Sequence, residues 1–183
     1  QNVCFIHSCF IKECGLTRLY SLIDSIINNG LYEVLKKIYI CNIGLPLNKY
    51  DNKLCLNKIK IIHLSDNINE YEAITLNYIR NYCKSNDNTK ILYLHTKGLY
   101  TLKYDCINDW INMMIYFNII CFDVCLKELE KVDCVGVNWL DNHYSGNFWW
   151  ANSNYIAKRN LIISTNKDIN HKMKAEYFLC DKA

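Results

Sequence analysis

One proline, Pro46, and six glycines are all that this 183-residue chain contains of the two strongest structure breakers. So few of them exclude a collagen-like or low-complexity chain and confine sharp turns to a handful of places. Long apolar runs are missing too. The longest candidate, Ile111 to Leu126, is interrupted by Asn112, Asn118 and Asp123, falls short of the roughly 18 residues a membrane helix needs, and reads as a buried helix. No charged leader with an apolar run and a small-residue cleavage site opens the sequence, so none is expected. Neither sign of charge dominates, since 21 Lys and Arg against 18 Asp and Glu leave a net charge of +3. The lysines are scattered, so the concentrated basic face of a nucleic-acid reader is absent.

Cysteine is the exception, with eleven copies. Their spacing argues against a disulfide or zinc framework. There is no C-x-x-C pair, the count is odd, and Cys4, Cys41 and Cys134 sit inside apolar runs where a free thiol acts as a small hydrophobe. His7, His63 and His171 show no metal-ligand spacing either. Asn-x-Ser/Thr sites are absent despite abundant Asn. These features predict a reducing, cytoplasmic compartment. A zinc-bound interaction domain is suggested by the cysteine count alone.

Hydrophobic residues make up 51% and charged residues 21%, which suits one globular domain with a real core. Apolar periodicity predicts strands at Val3–Phe10, Lys37–Ile43, Ile59–Leu64, Ile91–Leu94, Val132–Trp139 and Gly146–Ala151. Between them, helical spacing covers Leu16 to Ile27, Tyr71 to Tyr82 and one long stretch from Asp105 to Lys131, with a further helix near Asn154. Strands alternating with helices predict an α/β fold with a mostly parallel central sheet flanked by helices. Ligands of such sheets bind at the carboxyl ends of the strands. That rule selects the loops after Phe10, Leu64, Leu94 and Trp139.

Two segments carry chemistry. The apolar strand Ile91–Leu94 runs into His95, Thr96, Lys97 and Gly98, which gathers a cation, a hydroxyl and a permissive backbone where a phosphate can dock. It is not a P-loop, because G-x-x-x-x-G-K-[ST] is missing. The bland alternative is a turn with a solvated Lys97 and a capping Thr96. The second segment is His143-Tyr-Ser-Gly-Asn-Phe-Trp-Trp-Ala151. Adjacent tryptophans on a strand point to opposite faces, so one indole is expected in the core and the other against a sugar ring, with His143, Ser145 and Asn147 bonding hydroxyls. The alternative there is a packed tryptophan core with Gly146 at a bulge.

The strand followed by HTKG, the helix bearing Trp110, and the later run VGVNW…HYSGNFWWANSNYI together resemble a family of small GT-A-like glycosyltransferases found in bacteria and large DNA viruses. Asn69 to Thr75 and Ala175-Glu176 resemble weaker features of the same family, so the likeness spans most of the chain. It implies a single GT-A-like (Rossmann-like) domain over residues 1–183, with a nucleotide-binding part over 1–100 and an acceptor side over 101–183. It also implies a nucleoside-diphosphate sugar as donor, with a UDP-sugar favoured, and a glycan or glycoprotein as acceptor. GT-A enzymes usually carry Asp-x-Asp after the fourth strand to hold a divalent metal. His95-Thr96-Lys97 stands there instead, so an essential metal is not expected.

Lys97 can do part of a metal's work. An ammonium about 4 Å from the departing phosphate interacts by about 4 kcal/mol at an effective dielectric near 20, and even about 3 kcal/mol is a hundredfold in rate. His95 and Thr96 are further phosphate-binding candidates, with Gly98 supplying backbone freedom. Asp66, after the third strand, is a nucleotide-contact candidate, and Glu72 is placed to orient His95 or Lys97. Asp141, His143 and Glu176 are the candidate bases for the acceptor hydroxyl. Ser145, Gly146, Asn147, Trp149 and Trp150 form the expected sugar-binding set. The competing function is a non-catalytic carbohydrate-binding domain on the same scaffold.

Overall fold

The β-branched run that opens the chain becomes an interior strand of the sheet. In the computed structural model, which describes residues 1–11, 13–48, 51–96, 105–163 and 171–180, the strands are β1 (Asn2–Phe10), β2 (Lys37–Gly44), β3 (Ile59–Ser65), β4 (Lys90–His95), β5 (Cys134–Gly136), β6 (Trp139–Leu140), β7 (His143–Tyr144) and β8 (Trp149–Asn152). The helices are α1 (Glu13–Asn28), α2 (Leu31–Val34), α3 (Ala73–Cys83), α4 (Asp105–Ile115), α5 (Phe122–Glu128), α6 (Ser153–Ile156) and α7 (His171–Glu176). Six strands form one sheet in the order β3-β2-β1-β4-β8-β5. The first four are mutually parallel and β8 runs antiparallel to both its neighbours. The α/β fold with a mostly parallel sheet is therefore the one the periodicity predicts. Strand order reverses direction between β1 and β4, which makes their carboxyl ends the switch point where such sheets take ligands.

Two cores lie on opposite faces of the sheet. Alternate residues of β1 and β4 feed them: Cys4, Ile6, Leu92 and Leu94 join the core under α1 and α4, whereas Val3, Phe5, Ile91 and Tyr93 join the core under α3, α6 and α7. Trp150 belongs to the first and Trp149 to the second, and both are fully buried. The expectation that one indole stacks on a sugar is thus corrected for both. Period-2 alternation sends the neighbours to opposite faces, and helices cover the sheet on both sides. Each indole N–H finds a partner, Trp149 at the Asn147 side-chain oxygen and Trp150 at the Asn118 carbonyl, both at 2.9 Å.

Three boundaries differ from the sequence reading. The long helix expected from Asp105 to Lys131 breaks into α4, a π-turn over Tyr116–Ile120 and α5, with a 65° bend. Asn118 explains the break. Its carbonyl is taken by the Trp150 indole and its amide folds back onto the Met114 carbonyl at 2.9 Å, so side chains enter the helical ladder. The strand expected over Val132–Trp139 stops at Gly136, and Asn138 at φ 53° turns the chain into the β6–β7 hairpin. The strand expected from Gly146 begins only at Trp149, because 144–147 is a tight turn closed by the Asn147 N–H on the Tyr144 carbonyl at 2.9 Å. Among the described residues no single helix is long and apolar enough to cross a membrane.

Replacing either indole by alanine should cost about 3–5 kcal/mol of unfolding free energy, as for other buried aromatic truncations. Urea denaturation of Trp149→Ala and Trp150→Ala checks this, and a loss under about 1 kcal/mol would place that indole outside the core.

Candidate active site

At the carboxyl end of β4, three segments converge on one carboxylate. Glu72 stands immediately before α3 and follows Tyr71, whose backbone (φ 46°, ψ −147°) lies in a region rarely adopted outside glycine. Glu72 Oε2 accepts hydrogen bonds of 2.7 Å from both the Tyr93 hydroxyl and Asn147 Nδ2. Its Oε1 lies 3.7 Å from His95 Nδ1. Nε2 of the same ring is 2.9 Å from the Gly146 carbonyl oxygen. A carbonyl only accepts, so Nε2 carries a proton. A second proton on Nδ1 turns the approach to Glu72 into a charge-assisted contact.

The turn before β8 is shaped to meet this group. Gly146 and Asn147 both take positive φ, 87° and 58°. A side chain at Gly146 would put its Cβ 2.3 Å from Met114 Sδ and 2.6 Å from Trp110 Nε1, so only glycine lets the loop pass α4 this closely. The Trp149 indole donates to Asn147 Oδ1, which fixes the amide with its NH2 toward Glu72. The same NH2 reaches the Ala175 carbonyl at 3.5 Å. His7 faces His95 across the β1–β4 ladder, and its Nδ1 lies 2.8 Å from Thr75 Oγ1.

Burial pushes the Glu72 carboxyl up, but the neighbouring His95 and His7, the Tyr93 hydroxyl and the Asn147 amide together outweigh it and leave its pKa below the ordinary value. The group is ionised at neutral pH. Burial pulls the His7 pKa down to about 4, partly opposed by Glu72 and reinforced by His95. The site therefore holds one buried anion beside one neutral histidine.

Of the residues singled out in the sequence, Glu72, His95, Gly146 and Asn147 thus meet in one hydrogen-bonded group, with Trp149 behind it. Thr96 adjoins it: its N–H donates to the His7 carbonyl at 3.0 Å and its Oγ1 accepts from the Cys9 N–H at 3.2 Å. Lys97 and Gly98 lie outside the described residues. His143 and Glu176 form a second pair, Nε2 to Oε2 at 3.7 Å, with the His143 ring 5.1 Å from that of Tyr177. The Ala175 carbonyl ties this pair to the Glu72 group through Asn147. Asp141 is elsewhere in character: it is the exposed first residue of the two positive-φ positions that turn β6 into β7. Asp66 is exposed at the end of β3, with its partner His63 at 2.8 Å. Ser145 uses its N–H to close the hairpin onto the Asn138 carbonyl. Among the described residues, no three of His, Cys, Asp and Glu gather as a metal would require.

Tyr93 and His7 were missed in the sequence. The signals were present: Tyr93 precedes His95 by two and so shares its face, and His7 is the one histidine within the apolar strand β1, level with His95.

A histidine whose folded pKa is depressed binds its proton more readily in the unfolded chain, so stability should fall as pH drops from about 6.5 toward 4. A shift of this size is worth about 3 kcal/mol. His7→Gln should flatten the pH dependence of urea unfolding across that window while leaving stability above pH 7 less changed. An unaltered slope would show that His7 does not titrate this way.

No curated protein matches the chain. The family described as a domain of unknown function, DUF8361, matches residues 23–175. That stretch takes in the end of α1, the whole six-stranded sheet beyond β1, and every member of the Glu72 group except His7. The chain belongs to the DUF8361 family.

Proposed function

We propose that this protein is a glycosyltransferase that moves a sugar from a nucleoside-diphosphate sugar, with a UDP-sugar favoured, to a glycan or protein acceptor. The observation that supports it most is the 2.9 Å contact between His95 Nε2 and the Gly146 carbonyl. It joins the opening residue of HTKG to the opening residue of GNFWWA, the two segments that carry the resemblance, at the switch point of the sheet.

In this reading the donor's diphosphate lies over the carboxyl ends of β1 and β4, beside Thr96. Glu72 is a positioning residue: it holds the His95 ring and the Asn147 amide rather than touching the sugar. His143 is the base. In a direct displacement the acceptor oxygen bonds to the anomeric carbon while the bond to the diphosphate oxygen breaks. The acceptor's proton passes to His143, where Glu176 stabilises the resulting imidazolium. The negative charge leaves on the nucleoside diphosphate. Trp149 and Trp150 are core residues that fix the loop, and no divalent metal is essential.

Release of nucleoside diphosphate from UDP-, GDP- and dTDP-sugars, with and without manganese, tests the proposal. Turnover should appear with one donor class, and His143→Gln should lower kcat by about a hundredfold, the usual contribution of a general base. Glu72→Gln should lower it by about tenfold or more while moving the pH profile, because the carboxylate that holds His95 is gone. Glycan binding in calorimetry without nucleotide, and no turnover with any donor, would instead establish a non-catalytic carbohydrate-binding domain.

A further inference from the structure

The two edges of the six-stranded sheet differ. At one, β5 is three residues long, and so short a strand gives a newcomer little to pair with. At the other, β3 runs for seven residues and pairs only with β2. Every residue of β3 keeps some exposure, whereas β1, β2 and β4 are buried along most of their length. Ile59, Ile61, Ile62 and Leu64 are half-buried there, and Pro46, the one proline of the chain, stands outside the strand.

The ladder fixes which groups face outward. The Ile38 N–H donates to the Lys58 carbonyl, and the parallel register sets Ile38 beside Ile59, Ile40 beside Ile61 and Asn42 beside His63. β2 therefore takes backbone groups of residues 58, 60 and 62, and the N–H and C=O of Ile61 and His63 point away from the sheet. Among the described residues nothing answers them. Ile59 differs, because its N–H donates to the Leu56 carbonyl, and the register shift after His63 ends the regular edge. Charge is divided along the same edge. Lys58 and Lys60 stand at its start and Asp66 just past its end. Neither lysine has a carboxylate partner among the described residues, and the Asp66 side chain is 90% exposed beside His63.

We infer that β3 is the contact surface for a second copy of this chain, with the two strands antiparallel about a two-fold axis at Ile62. That axis sets Ile61 opposite His63 of the second copy, and every outward N–H and C=O of these residues in both copies is then used. An axis at Ile61 would instead oppose His63 to Ile59, whose N–H is already taken. Antiparallel strands lay the lysine end of one copy along the aspartate end of the other, whereas parallel strands would set like charges together. The edge is thus complementary to itself, the condition for an isologous contact. β1 and β4 lie inward of this edge, so the Glu72 group stays open in both copies, and the inference stands apart from the transferase reading.

Sedimentation velocity on the full chain over a range of concentrations, with reductant present, tests it. A reversible dimer should appear. Ile62→Lys places two like charges face to face and should weaken association by about tenfold or more. Lys60→Glu and Asp66→Lys should each weaken it about two- to fivefold, and the double variant should recover most of the loss. Val124→Lys, on the exposed apolar face of α5, should change nothing. A chain that stays monomeric up to about 100 µM would overturn the inference and leave the edge to another protein's strand. A dimer that Ile62→Lys leaves intact, or that Val124→Lys weakens as much, would overturn it by placing the interface elsewhere. Should Ile62→Lys fail to fold by circular dichroism, the charge variants decide, since both positions are exposed. A double variant no tighter than the single ones would then overturn the antiparallel pairing.

Discussion

The polar end of this sheet depends on one buried anion. Without the Tyr93 hydroxyl and the Asn147 amide, the Glu72 carboxylate would be an uncompensated charge beside two cores, a situation that proteins ordinarily resolve by neutralising the group. With them it stays ionised and becomes the fixed point to which β4, α3 and the loop before β8 are fastened. His95 completes the arrangement from a strand and Gly146 from a loop, so segments about fifty residues apart are held in one geometry. Networks of this kind are worth little when half satisfied. That is why the Trp149 indole matters, since by occupying Asn147 Oδ1 it leaves the amide only one useful orientation.

The two faces of the sheet divide the work. On the α3 side the strand ends present the anion, the two histidines and the tie to α7. On the α1 side Thr96 presents a hydroxyl after β4, with Arg18 of α1 beside it. A ligand lying over the carboxyl edge would meet both.

Much of this was legible beforehand. Strand positions followed from β-branched and apolar runs, and the parallel order followed from their alternation with helices. His95 was chosen from its strand-end position, Asn147 from the polar run before the tryptophan pair and Glu72 from the helix before the fourth strand, and the fold does assemble them. The illegible part has physical causes. Helix periodicity over 105–131 could not reveal that an indole from far along the chain would take the Asn118 carbonyl and bend the helix. The rule that neighbours on a strand face opposite ways was applied correctly to Trp149 and Trp150, but whether the outward face is open or covered is a tertiary fact. Asp141 carried the chemistry of a base and the backbone preference of a turn, and the hairpin used the second.

The tryptophan pair also fixes how β8 can lie. A slip by one position would exchange the indoles between the two cores, strip Asn147 and Asn118 of their indole partners, and leave two buried N–H groups unanswered. Such a strand has one admissible alignment between β4 and β5. The last strand to join the sheet in sequence is therefore also the one that checks whether both of its faces were built correctly.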